Sequence, residues 1–73
     1  MTKEEATLKI KLHVREALET DTSSMADIAR DLGVPFNCVK YWKSGLYMPD
    51  APALIVLEDY YAGIINRILG RYP

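Results

Sequence analysis

Several residue types are scarce in this 73-residue chain, and each scarcity removes a class of function. The single cysteine, Cys38, excludes an intramolecular disulfide and a thiolate metal cluster, and fits a reducing compartment. The single histidine, His13, has no second histidine or cysteine at ligand spacing, so no metal is expected. A surface position, or pairing with a nearby carboxylate, is its simpler role. Nothing else of a catalytic constellation accompanies Cys38 and His13, and so short a chain has little room for a pocket. Neither an enzyme nor a cofactor or small-molecule ligand is expected. No apolar run reaches the ~18 residues of a membrane span. Charges interrupt the N-terminal segment throughout, unlike a signal peptide. The expected location is cytoplasmic. Repeats, low-complexity tracts and linkers are also missing, so residues 1–73 read as one domain.

What remains is an ordinary globular composition, 49% hydrophobic and 26% charged, which argues against disorder. The net charge of −1 gives no general attraction to nucleic acid. Its distribution matters more. Between Val34 and Pro49 lie Lys40 and Lys43 and no acid, and phosphates respond to the field within about 8–10 Å.

Thr2 followed by Glu5 has capping-box spacing for a first helix. Ala6, Ile10, Val14, Ala17 and Leu18 then form a helical stripe, leaving Leu8 and Leu12 on the opposite side. Leu8, Ile10, Leu12 and Val14 also alternate with polar residues, so a strand pairing with its own copy in a dimer is the alternative. Ser24 and Asp27 mark the start of a second helix, from Met25 to about Leu32. Gly33 suits its left-handed end, and Pro35 suits the first turn of a third helix running to Ser44. Asp50 can cap a last helical segment, in which Gly63 marks a kink or a division. Glu58 and Asp59 read there as a solvated edge.

The stretch MADIARDLGVPFNCVKYWKS, Met25 to Ser44, has the spacing of a helix-turn-helix. Ile28, Ala29 and Leu32 lie on one face of its first helix, and Val39 and Trp42 on one face of its second. Val34 can fill the gap between them. At ~100° per residue, Val39 and Trp42 facing inward turn Asn37, Lys40, Tyr41 and Ser44 outward. Phe36, Cys38 and Lys43 then lie on the flanks. Asparagine can pair with an adenine edge, and lysine can reach guanine or phosphate.

Met25 to Pro49 resembles the helix-turn-helix of the Cro and λ-repressor (Xre-type) family of small phage and bacterial regulators. The matching residues are Ala29, Gly33, Val34, Val39 and Trp42, followed by Gly45 and Pro49 in a W-x-x-G-x-x-x-P pattern. The resemblance implies an all-α fold of four to five helices. It also implies base contacts from Phe36, Asn37, Cys38, Lys40 and Tyr41, and operator binding as a homodimer that represses transcription. Pro35 stands where a polar N-cap is usual, and the glutamine pair common at the positions of Phe36 and Asn37 is absent. The resemblance therefore names no operator sequence.

The expected function is a Cro-like repressor that reads a palindromic operator through the major groove. Lys43, Ser44 and Tyr47 would hold phosphates, and the apolar C-terminal surface of Tyr61, Ile64, Ile65, Ile68 and Leu69 would pair two copies. Two other readings use the same frame. One is a protein-interaction module, antitoxin-like or an adaptor subunit; the other is the DNA-recognition subunit of a phage packaging or recombination accessory protein.

Overall fold

Three side-chain caps start three of the helices in the computed structural model, which describes residues 1–71. Thr2 Oγ1 accepts from the Glu5 backbone N–H at 3.1 Å, Ser24 Oγ from Asp27 at 3.1 Å, and Asp50 Oδ1 from Ala53 at 2.9 Å. Each bond satisfies a donor that the helix itself leaves unpaired. The chain is all-helical among the described residues, with α1 at Lys3–Thr20, α2 at Met25–Leu32, α3 at Phe36–Ser44, α4 at Ala51–Tyr60 and α5 at Ile64–Leu69. No helix among these residues is long and apolar enough to cross a membrane.

The strand alternative at Leu8–Val14 does not form. As a helix, α1 buries Val14, Ala17 and Leu18 together on one face, with Ile10 partly covered beside them. An alternating strand would have put Leu8 and Leu12 on the face of Ile10 and Val14, and separated Ala17 from Leu18. In the helix, Leu8 and Leu12 stay in solvent, 67% and 50% exposed.

One core joins all five helices. Ile28, Ala29 and Leu32 of α2, Val39 and Trp42 of α3, Leu57 of α4, and Ile64 and Ile68 of α5 close on the α1 stripe. Helix α1 packs against α3 and α5, while α2 packs against α3 and α4. The crossing of α2 and α3 depends on the turn at Gly33, whose φ of 69° is left-handed. There the Gly33 N–H bonds to Arg30 O at 3.2 Å and the Val34 N–H to Ala29 O at 3.1 Å. This pair of bonds closes the end of α2. Pro35 sits just before α3 rather than within its first turn, because its ψ of 145° is extended. A Cβ on Gly33 would meet no atom within 4 Å, so Gly33→Ala carries only the backbone penalty. That penalty is about 1–2 kcal/mol, a fall in Tm of roughly 4–8 °C per kcal/mol on a thermal melt, and Gly33→Asn should lose less.

Gly63, at φ 102°, divides the C-terminal segment into α4 and α5. Glu58 is not the solvated edge that its sequence context suggests. Its carboxylate reaches over the division and accepts from the Gly63 N–H at 3.0 Å and the Ile65 N–H at 2.9 Å, capping α5 from the preceding helix. The Ile65 and Gly63 bonds hold its carboxyl below the usual carboxylate range. Asp21 is lowered as well, first by the Tyr61 hydroxyl, which donates to Oδ2 at 2.6 Å, and then by the Ser23 N–H. A carboxyl lowered by folding adds stability that is complete above its unfolded value and disappears as pH falls through its folded one. The wild-type Tm should therefore fall on acidification below about pH 4. Glu58→Gln should melt lower at neutral pH, by about 1 kcal/mol of capping energy, and respond less to acid. Parallel melting curves for the two proteins across that range would remove this role for Glu58.

Candidate nucleic-acid interface

Helix α3 is clamped on two sides, by α1 and by α2. Val39 is fully buried and Trp42 is 6% exposed, and these two residues set the rotation of the helix about its axis. Asn37, Lys40, Tyr41 and Ser44 are consequently exposed, as the spacing predicts. No acid lies in α3, and Lys43 is the base in its last turn. Phe36 is 46% exposed at the start of the helix and extends the same surface with an apolar ring.

The remaining expected contacts divide. Tyr47 is exposed and sets its ring edge-on to Tyr41, with centroids 5.1 Å apart and planes at 87°. Two phenolic rings thus stand together beside the C-terminal half of α3. Ser44 is exposed, but its hydroxyl donates to Tyr41 O at 2.8 Å, so its proton is committed and a phosphate would have to displace that bond. Lys43 is half-buried, and its charge adds a small lowering to the Asp21 carboxyl after the Tyr61 and Ser23 bonds. Cys38 does not join the outward face. It is half-buried, packed against the core, and lines a groove on the other flank of α3.

That groove, about 560 Å³, lies between the Gly33–Pro35 turn, α3, the Leu46–Asp50 connection and the first turns of α4. Its wall is mostly apolar, with Val34, Cys38, Met48, Pro52 and Val56 beside the two tyrosines. The connection is held in shape by a Leu46 N–H bond to Tyr41 O at 3.0 Å and by the burial of Pro49. Leu46, Tyr47 and Met48 nevertheless remain 56%, 56% and 43% exposed. Three large apolar residues in a row therefore meet solvent next to the outward face of α3.

Arg15 is a neighbour of α3 that sequence reasoning did not place. Its Cδ lies 3.6 Å from where a Cβ on Gly45 would sit, which brings a guanidinium to the C-terminal end of α3. There it is paired with Glu19 at 2.9 Å. The only sequence signal was the i, i+4 charge pair, which says nothing about α3 thirty residues away.

The expected dimerisation surface is largely used inside the chain. Ile64 is fully buried and Ile68 is 5% exposed, because α5 folds back onto α1. Tyr61 is half-buried and tied to Asp21 through its hydroxyl, and burial followed by that bond pushes its ionisation up. Tyr60 makes a longer contact to Asp31, at 3.4 Å. Ile65 and Leu69 keep exposure on this side, with Leu69 at 46%. No protein-family model, curated protein or solved structure matches the chain.

Proposed function

We propose that this chain is a sequence-specific binder of double-stranded DNA that regulates transcription, most simply as a repressor acting inside the cell. One observation carries the reading: an acid-free α3, braced by α2 through a tight left-handed turn, that turns Asn37, Lys40 and Tyr41 outward together. A helix about 10–12 Å across, side chains included, fits the ~12 Å major groove, and amide, ammonium and phenol groups supply the hydrogen bonds that base edges require. On this reading Lys40 and the Tyr41–Tyr47 pair, whose rings stand edge-on at 5.1 Å, would meet base edges and the flanking phosphates. With few free cations on this surface, one copy would bind weakly, so two or more copies on repeated half-sites about one helical turn apart (~34 Å) are part of the proposal. The two-fold pairing through the C-terminal segment keeps only Ile65 and Leu69 to support it.

Selection of bound sequences from a random duplex pool, repeated at two salt concentrations, tests the proposal. An enriched motif that persists at the higher salt supports it. Retention without enrichment, or no retention, overturns it. The exposed Leu46–Met48 run favours one competing reading, a protein-interaction module on the same frame. Stable co-purification with a protein from its source cell, with no DNA retained, would select that module.

A further inference from the structure

Resting on the duplex-reading function proposed above, we infer that the first turn of α3 selects a thymine in each half-site, the Phe36 ring packing on its 5-methyl group. Phe36 is the first residue of α3 and is 46% exposed, outside the core that Val39 and Trp42 join. Within this turn Cys38 packs back on the core and Phe36 does not. Pro35 ahead of it forms no side-chain cap, so no polar side chain precedes the ring where the helix begins. Asn37 follows it on the exposed face, and no acid lies anywhere in α3.

That chemistry narrows what the turn can read. In the major groove the methyl of thymine is the apolar group that a base pair presents, and adenine has the edge that suits the Asn37 amide. A cytosine would set its N4 amino group against the ring, and α3 has no carboxylate to accept from it. A guanine would place O6 and N7 under the same ring. Either polar edge loses water without gaining a partner, so the ring rejects G·C as well as favouring A·T. The scarcity of charge adds weight. Lys40 is the one exposed cation of α3, and Lys43 is half-buried. Phosphate attraction from this helix is therefore small, and apolar contact carries a larger share of the preference.

Removing single methyl groups from the duplex tests this, with the full chain and the motif enriched from the random pool. Each thymine of one half-site is replaced in turn by deoxyuridine, which deletes the 5-methyl and keeps the pairing and O4. At one position the wild type should lose about fourfold in affinity, the worth of one buried methyl group. The loss should be the same at two salt concentrations, since no charge changes. Phe36→Ala should bind the thymine and deoxyuridine duplexes equally at that position, whereas Phe36→Leu should keep part of the difference. At any other methyl-sensitive position Phe36→Ala should respond as the wild type does. Circular dichroism confirms that both variants fold, and the substitutions in the duplex need no variant at all. A motif with no methyl-sensitive thymine, or a methyl effect that Phe36→Ala leaves intact at every position, overturns the inference while duplex reading stands. A pool without enrichment overturns both.

Discussion

Asn37→Ala is expected to weaken binding to the preferred duplex by roughly 5- to 150-fold, the equivalent of about 1–3 kcal/mol, while leaving binding to unrelated duplex nearly unchanged. The amide is exposed in the first turn of α3, on the face that the buried Val39 and Trp42 turn away from the core. Because it is uncharged, its loss removes hydrogen-bonding complementarity and leaves the electrostatic attraction intact. Lys40→Ala should behave in the opposite way if it holds a phosphate. Affinity would then drop on all sequences alike, and the slope of log K against log salt would shrink by about one. Tyr41→Ala should act on both, since its ring also supports Tyr47. Anisotropy titrations of labelled duplexes at several salt concentrations distinguish these outcomes. If Asn37→Ala lowered affinity equally on every sequence, or not at all, base reading by this face would be wrong.

Ile64→Ala is expected to be the most damaging single truncation in α5, at about 2–5 kcal/mol, because it leaves a cavity where α5 meets α1. A single core in a domain of this length supplies only about 3–5 kcal/mol in all, so much of the variant should be unfolded at room temperature. Ile65→Ala, one position along, should cost far less. Its side chain is half-exposed, and its contribution to the Glu58 cap comes from its backbone N–H, which alanine retains. Urea denaturation at two protein concentrations makes the comparison. An Ile64→Ala protein that kept wild-type stability and lost only self-association would show that α5 serves a dimer instead of its own core.

The contrast between these two isoleucines shows where sequence patterning stops being informative. Both lie in one apolar arc of α5 with Ile68 and Leu69, opposite Asn66 and Arg67, and spacing does not say which edge of that arc turns inward. Their roles follow from Gly63, which breaks the helix and sends α5 back along α1, and from Glu58, which caps the new helix across that break. Glu58 in a plain helical context has no such partner to point to. The ties from Tyr61 to Asp21 and from Tyr60 to Asp31 span 40 and 29 residues and are equally invisible to local spacing. Spacing turns Ser44 outward, as observed, but does not show that its hydroxyl donates to the Tyr41 carbonyl one turn back.

The helix-turn-helix itself was readable residue by residue. Ser24 caps α2, Gly33 ends it, Pro35 keeps its neighbour out of the helical region, and the Val39–Trp42 spacing orients α3. Each of these effects acts within four or five residues, the range over which backbone preference and hydrogen bonding need no help from the rest of the chain. The partners of α5, the position of Arg15 against Gly45, and the groove that opens between α3 and α4 are of another kind. They come from segments brought together by burying one shared core, and composition along the chain does not record which apolar face will meet which.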